Sequence, residues 1–277
     1  MITITAQDTQ IPALGFGTYK LTGDACQTAV SKALEVGYRH IDTAQFYNNE
    51  ADIGTAIAAS GVKRKDIFLT TKIWPDNAAE GKLQKSFDES LKKLKTDYVD
   101  LLLIHWPPSP APFAEQMKAL QSVKDAGKAK LIGISNYTIP QMKEVVEKIG
   151  APLAANQVEY HPYLSQKPLL DYIRAHGMFL TAYCPLAQGK IAGDPVLGKI
   201  AKAHGKTTGQ VALRWLIQQE RVAAIPKAGS EKHIRENFDI FDFALSDGEM
   251  NEIFALARPD GRIVNPAGIA PKWDKAA

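Results

Sequence analysis

Three ionisable residues recur in this chain at nearly equal intervals, each at the end of a short strand-like run. They are Asp42, Lys72 and His105, and the intervals are 72 − 42 = 30 and 105 − 72 = 33 residues. One strand and its helix in an eightfold parallel barrel take roughly 31 residues, and the strand ends of that fold line the active-site face. The spacing therefore predicts that these residues meet at one face, together with Tyr47 from the loop after Asp42.

The whole chain alternates strand-like and helix-like segments, which predicts a (β/α)8 TIM barrel. Parallel strands joined by right-handed helical crossovers, eight in number, favour closure over an open doubly wound sheet. Residues 1–12 alternate polar and apolar around a turn, so we expect a β-hairpin that caps the barrel. Two additional helices are expected late in the chain, and residues 258–277 should form a loop over the barrel. The 277 residues fit a single domain.

Two helix starts carry capping signals. Asp24 is a candidate N-cap for a helix that runs to Val36, because an aspartate side chain accepts hydrogen bonds from the first free backbone N–H groups. Ser246 is followed three residues later by Glu249, which is the capping-box pattern.

Composition and motifs exclude several functions. The net charge is only +3 and no block of like charge occurs, so a nucleic-acid partner is not expected. No apolar run approaches the roughly 18 residues of a membrane span, no zinc motif is present, and a dinucleotide fingerprint that begins at Gly15 fails because position 20 is lysine. The two cysteines form no framework, and the first residues lack a signal-peptide pattern. We expect a cytoplasmic monomer that holds no metal and acts on a small molecule.

The four clustered residues can reduce a carbonyl group. A phenol has a reference pKa of about 10, and a nearby ammonium lowers it. We therefore expect Lys72 to lower the pKa of Tyr47, and Asp42 to hold Lys72 charged. His105 is expected to donate a hydrogen bond to the substrate oxygen that Tyr47 protonates. Because no side chain supplies hydride, a nicotinamide cofactor is implied.

Each of these residues also has a simpler explanation. Asp42 and Lys72 could form a structural ion pair, Tyr47 could be a packing residue, and His105 could be a satisfied core histidine. The spacing by itself leaves chemistry and structure about equally open.

Short motifs spread from Gly15 to about Ala257 resemble those of the aldo-keto reductase family, above all its short bacterial members such as 2,5-diketo-D-gluconate and methylglyoxal reductases. The matching segments are residues 42–47, 71–72, 103–106, 133–136, 156–157 and 225–227. The resemblance implies a (β/α)8 barrel that uses NAD(P)H without a Rossmann domain. It implies that Tyr47 is the general acid, that Lys72 and Asp42 support it, and that His105 orients the carbonyl.

The resemblance also implies a cofactor site, to which Asp42 belongs as well. Ser135, Asn136 and Gln157 match the residues that bind the nicotinamide carboxamide, and Tyr183 matches the aromatic that stacks on the ring. The loop that surrounds the pyrophosphate is matched by Cys184, Pro185, Leu186, Gln188 and Gly189.

The adenosine end departs from the family pattern. Lys227, Ser230 and His233 remain as candidates for the 2′-phosphate, whereas the family commonly carries Lys-Ser/Thr after strand eight and an arginine several residues later. Glu236 and Asn237 match adenine contacts. An arginine fork recognises phosphate better than these groups do, so we expect NADPH to be used and NADH to be tolerated better than in relatives with the arginine.

Aromatic residues near the strand ends predict the substrate pocket. Beside His105 these are Tyr19, Phe46, Trp74 and Trp106. Brief loops predict an open cleft for small or sugar-derived aldehydes and ketones, with 2,5-diketo-D-gluconate and methylglyoxal as candidates. Two alternatives remain. One is an NADP(H)-binding sensor or regulatory subunit. The other is a phosphate-binding sugar isomerase, for which Gly189 and Gly229 make a sparse phosphate loop.

Overall fold

The computed structural model describes residues 2–274 and shows a barrel of parallel strands above a small antiparallel hairpin. The hairpin strands are β1 (Thr3–Ala6) and β2 (Thr9–Pro12). The barrel strands follow in sequential order as β3 (Phe16–Gly17), β4 (His40–Asp42), β5 (Phe68–Ile73), β6 (Val99–Ile104), β7 (Ala129–Ser135), β8 (Ala155–Glu159), β9 (Phe179–Tyr183) and β10 (Val222–Ala224). The predicted hairpin is confirmed.

The sheet closes on itself between its first and last strands. Leu14 forms a parallel bridge with Ala224, and the N–H of Gly15 donates to the carbonyl oxygen of Ala224 at 2.8 Å. The backbones approach closely because Gly17 has no side chain; a Cβ there would lie 2.6 Å from the carbonyl oxygen of Ile225. The (β/α)8 barrel predicted from the strand spacing is confirmed.

Helices surround the barrel. They are α1 (Gly23–Val36), α2 (Glu50–Ala59), α3 (Lys82–Leu94), α4 (Phe113–Asp125), α5 (Ile139–Met142, continued by the π-helical Lys143–Lys148), α6 (Lys167–Ala175), α7 (Pro195–His204), α8 (Thr208–Gln218), α9 (Glu231–Phe238) and α10 (Asp247–Phe254). The two additional helices are α7 and α10, which pack against each other. No helix within residues 2–274 is both long and apolar enough to cross a membrane.

One capping prediction is confirmed and the other is wrong. Ser246 accepts a hydrogen bond from the N–H of Glu249, whose carboxylate accepts one from the N–H of Ser246. Helix α1 instead begins at Gly23, so Asp24 lies inside its first turn. The N–H of Gly23 donates to the carboxylate of Asp52 in α2 at 2.8 Å. That long-range partner takes the capping role that local sequence assigned to Asp24.

The barrel core is apolar between the sheet and the helices. Strands β5 and β6 are buried along their whole length, as parallel strands covered on both faces should be. Buried polar and charged groups gather towards the carboxyl ends of the strands, among them Asp42, Lys72, Gln157 and Glu159. The described part of the tail, residues 258–274, has neither helix nor strand and lies near those ends.

Helices α2 and α3 pack closely at Gly54, so a substitution there tests the packing. A Cβ on Gly54 would lie 2.4 Å from the carbonyl oxygen of Lys93. We expect Gly54→Ala to lower the free energy of unfolding by roughly 1–3 kcal/mol, as overpacked sites do. The matched control is Gly198→Ala in α7, where a Cβ meets nothing within 4 Å; it should raise stability by roughly 0.5–1 kcal/mol. Urea unfolding measures both, and equal effects would contradict the predicted close contact.

Candidate active site

A cavity of about 670 Å³ opens at the carboxyl ends of the barrel strands. Most residues that the sequence assigns to the site line it. They are Tyr19, Asp42, Phe46, Tyr47, Trp74, His105, Trp106, Asn136, Gln157, Tyr183, Cys184, Pro185, Leu186, Gln188, Gly189 and Lys227. The structure thus brings together residues from both ends of the sequence.

The other assigned residues lie outside the cavity lining. Lys72 is fully buried behind Tyr47, and Ser135 is buried with its hydroxyl donating to the carbonyl oxygen of Gln157 at 2.8 Å. The remaining four belong to the start and body of α9, where they are Ser230, His233, Glu236 and Asn237. Ser230 caps this helix by accepting the N–H of His233, both side chains are exposed, and Asn237 is buried.

The predicted catalytic residues converge at the cavity floor. The Nζ of Lys72 lies 2.5 Å from a carboxylate oxygen of Asp42 and 3.3 Å from the hydroxyl oxygen of Tyr47. The ring of His105 packs edge-on against that of Tyr47, with 5.7 Å between the centroids. The sequence predicted that these four residues meet at the ends of the barrel strands, and they do lie together there.

Hydrogen bonds satisfy the buried ion pair on both sides. Lys72 also donates to the carbonyl oxygen of Thr43 at 2.9 Å. The second carboxylate oxygen of Asp42 accepts the side-chain amide of Gln157 at 2.7 Å. A buried ion pair is tolerated only when such bonds replace lost hydration. The ammonium is thus fixed close to the phenol.

The expected lowering of the pKa of Tyr47 is wrong for the protein alone. Burial raises the pKa of this phenol well above its usual value, and the nearby carboxylate of Asp42 raises it further. The main reason is burial, which disfavours the charged phenolate, and Lys72 comes with Asp42, whose carboxylate disfavours it too. Tyr47 therefore keeps its proton at neutral pH, as a general acid must.

His105 is held as a neutral imidazole. Burial lowers its pKa well below the usual value, and the charge of Lys72 lowers it further. Its Nδ1 has no hydrogen-bond partner within residues 2–274. The backbone at His105 is fixed because its carbonyl oxygen accepts the side-chain amide of Asn136 at 3.1 Å. A neutral imidazole can donate a hydrogen bond to a substrate oxygen without adding charge.

Aromatic rings wall the cavity next to these groups. Phe46 stacks on Trp74 with centroids 4.3 Å apart and planes 14° apart, and Tyr19 lies 4.9 Å from the ring of Tyr47. Gln45 fixes this wall, since its amide oxygen accepts the N–H of Trp74 at 3.0 Å. Half of the Phe46 side chain is exposed, so the wall offers apolar surface to a ligand.

Sequence reasoning did not assign part of the lining. These residues are Gly17, Thr18, Lys20, Ile225, Pro226, Val264, Pro266 and Ile269. Lys20 could have been found, because it directly follows the assigned Tyr19 at the end of the first strand. The tail residues carry no periodic pattern, so only the fold reveals that Val264 and Ile269 reach the site.

The cavity residues fit a nicotinamide dinucleotide. The amides of Asn136 and Gln157 lie near the catalytic floor, as a carboxamide-binding pair would. Along the cavity, Lys20 and Lys227 form no ion pair with an acidic side chain of residues 2–274, so both can meet phosphate. Cys184, Ala187 and Gln188 have positive φ values of 50°, 47° and 54°. Such strained backbone clusters at ligand-binding loops.

Comparison with known proteins finds relatives that are similar over nearly the whole chain. The chain is 46% identical over 267 residues to methylglyoxal reductase DkgB of Salmonella typhi, an alignment that covers 95% of this chain and 99% of the relative. A crystal structure of a protein assigned as 2,5-diketo-D-gluconic acid reductase B superposes with a TM-score of 0.96 at 52% identity, covering 99% of this chain and 98% of the other.

A second solved structure, a mutant of Gox0644 in complex with NADPH, superposes with a TM-score of 0.89 at 32% identity, covering 95% of this chain and 96% of the other. The model of the Aldo/keto reductase family matches residues 13–258. That match takes in all eight barrel strands and every residue assigned to the catalytic floor. The chain therefore belongs to the aldo/keto reductase family.

Proposed function

We propose that this protein reduces small aldehydes and ketones to alcohols with NADPH, and that Tyr47 donates the proton. One observation carries the proposal: the hydroxyl oxygen of Tyr47 lies 3.3 Å from the Nζ of buried Lys72, beside the ring of His105, on the floor of an open cavity. Carbonyl reduction is the shared chemistry of the family; the substrate and the residue roles are what we add.

Four residues have separate roles around the substrate oxygen. When bound, the nicotinamide supplies hydride to the carbonyl carbon. His105 donates a hydrogen bond that orients the carbonyl, and Tyr47 transfers the proton of its hydroxyl as negative charge grows on the oxygen. Lys72 stabilises the tyrosinate that remains, while Asp42 keeps the ammonium in place. Tyr47 thus keeps its proton until negative charge develops on the substrate oxygen.

NADPH is the proposed cofactor because the cavity carries cations suited to its phosphates. Lys20 and Lys227 lie along the lining, and His233 occupies the exposed first turn of α9. Arg235 is exposed and pairs with Glu231 at 2.8 Å, and the phosphate site that we propose contains no arginine. We therefore propose that NADH is also accepted.

The proposed substrates are small carbonyl compounds. The cavity is open, and its aromatic wall leaves room beside Tyr47 and His105. Methylglyoxal and 2,5-diketo-D-gluconate are the first candidates, since relatives carry these names. We propose that the chain works as a single domain and as a monomer. The sensor alternative predicts cofactor binding with little turnover.

The first test removes the proposed acid. Tyr47→Phe should lower kcat for methylglyoxal by a factor of roughly 10² to 10⁴, the usual contribution of general acid catalysis. The dissociation constant of NADPH should change little, because the ring remains. NADPH absorbance measures turnover and fluorescence titration measures binding. Tyr172→Phe is the control, since its hydroxyl donates to Glu147 at an exposed position and Tyr172 does not line the cavity.

The outcomes separate the candidates. A variant with wild-type turnover would show that Tyr47 is not the acid. A wild-type protein that binds NADPH but reduces none of a broad panel of aldehydes and ketones would favour the sensor.

The pKa directions predict a flat pH profile for reduction. Tyr47 has a raised pKa and stays protonated as pH rises through neutrality, while His105 has a lowered pKa and stays neutral as pH falls. Both groups are then in their active forms together. We expect kcat/KM for reduction to vary by less than about twofold between about pH 6 and about pH 8, the range in which an ordinary histidine titrates. A step in that range that His105→Gln removes would contradict the neutral assignment.

Cofactor preference can be changed at one exposed position. His233→Arg should raise the ratio of kcat/KM for NADPH over that for NADH about tenfold, because a guanidinium binds phosphate through paired hydrogen bonds. Lys232→Arg, also exposed on α9, is the matched control and should leave the ratio near the wild-type value. Equal ratios in all three proteins would place the 2′-phosphate elsewhere.

A further inference from the structure

A buried carboxylate outside the catalytic floor holds the C-terminal tail. Glu159, at the end of β8, is completely buried. One of its oxygens accepts the N–H of Ile263 at 2.6 Å, and the other accepts the N–H of Val264 at 2.9 Å. Charge-assisted bonds of this kind are about twice as strong as neutral ones. Two successive backbone groups of a segment without helix or strand are thereby fixed to a barrel strand.

Charged and aromatic groups complete this attachment. The Nε2 of His161 lies 2.9 Å from one oxygen of Glu159, and a terminal nitrogen of Arg262 lies 3.6 Å from the other. The guanidinium of Arg262 also sits over the ring of Trp273, 3.7 Å from its centroid. Trp273 in turn packs edge-on against Trp106 of the cavity wall, with 6.2 Å between centroids.

The start of the tail has little freedom either. Arg258 donates its N–H to the carbonyl oxygen of Tyr163, and a Cβ on Gly261 would lie 1.7 Å from that same oxygen. Close backbone contact therefore sets the path of the chain up to Ile263 and Val264. We call the two hydrogen bonds from these N–H groups to Glu159 the clamp.

The clamped segment forms one wall of the cavity. Val264, Pro266 and Ile269 all line it, although Glu159 does not. We infer that Glu159 is a positioning residue: by fixing the backbone at Ile263 and Val264, it places this wall and so determines which carbonyl compounds the site accepts. The part that concerns substrates rests on the proposed function, whereas the clamp itself does not.

The test replaces the carboxylate by its neutral isostere. Glu159→Gln puts an NH₂ group against one of the two backbone N–H donors in either amide orientation. Hydrogen exchange should then accelerate about tenfold or more at Ile269 and Ala270, because one of the two hydrogen bonds that hold the tail to Glu159 is lost. Exchange is measured on the full-length protein without ligand, so this result is independent of turnover.

Kinetics then tests the wall. In Glu159→Gln, KM for the reduced carbonyl compound should rise about tenfold, with a larger rise for the bulkier of two substrates, while kcat changes less than about twofold. A double-mutant cycle with Ile269→Ala should show non-additive effects on KM, since both changes act on one wall.

The matched control is Asp100→Asn. Asp100 is also buried, accepts the N–H of Leu69 at 3.0 Å and pairs with Arg64 and Lys130, but it lies near the start of β6 at the opposite end of the barrel. Asp100→Asn should lower the free energy of unfolding about as much as Glu159→Gln does. It should leave hydrogen exchange in the tail and KM unchanged. If Glu159→Gln fails to fold, Gly261→Ala displaces the tail with Glu159 intact and should produce the same exchange and KM changes.

Each outcome decides one part. Unchanged tail exchange in Glu159→Gln would overturn the clamp. Faster tail exchange with an unchanged KM, or with a fall in kcat alone, would overturn the role in substrate acceptance. A wild-type protein without carbonyl turnover would refute the proposed function, and the exchange data would still decide whether Glu159 holds the tail.

Discussion

The buried ion pair between Lys72 and Asp42 is the interaction on which the site depends. Removing one partner of such a pair leaves an uncompensated charge and typically costs about 3–5 kcal/mol. The carbonyl oxygen of Thr43 and the amide of Gln157 satisfy the remaining hydrogen-bonding capacity. The pair is therefore locked in one geometry and nearly neutral as a unit. Burial and Asp42 keep the pKa of Tyr47 raised, and in the proposed reaction the ammonium of Lys72 is already in place to stabilise the tyrosinate.

The barrel makes this geometry possible by bringing distant strands together. Asp42 pairs with Thr70 in the β4–β5 register, so Lys72 follows two residues later on the same face of β5. Gln157 reaches Asp42 from β8, which lies four strands away and therefore across the barrel interior. The interior is narrow enough for side chains to meet at its centre, as in other eight-stranded barrels. An open sheet would keep β4 and β8 apart.

Sequence predicted what depends on local pattern or on repeat length. The strand-helix period placed Asp42, Lys72 and His105 at one face, and the Ser246 capping box needed only neighbouring residues. Prediction from the sequence failed where the outcome depends on a group that another part of the chain brings into contact. Asp24 was displaced as a cap by Asp52 from the next helix, and the pKa of Tyr47 follows burial and Asp42 as well as Lys72. Tail contacts such as that of Val264 with Glu159 join residues 105 positions apart and leave no periodic signal.

Strand β8 links the proposed catalytic floor to the tail wall of the cavity. Gln157 and Glu159 are two residues apart, so their side chains leave the same face of the strand at successive levels. Gln157 donates to Asp42, and Glu159, one level further along the strand, accepts the N–H groups of Ile263 and Val264. Both the reacting groups and the tail wall are thus positioned by one rigid element rather than by each other. In the proposed mechanism, changes in the tail alter substrate acceptance while the proton donor keeps its geometry, because the tail and the Lys72–Asp42 pair are held by different residues of β8.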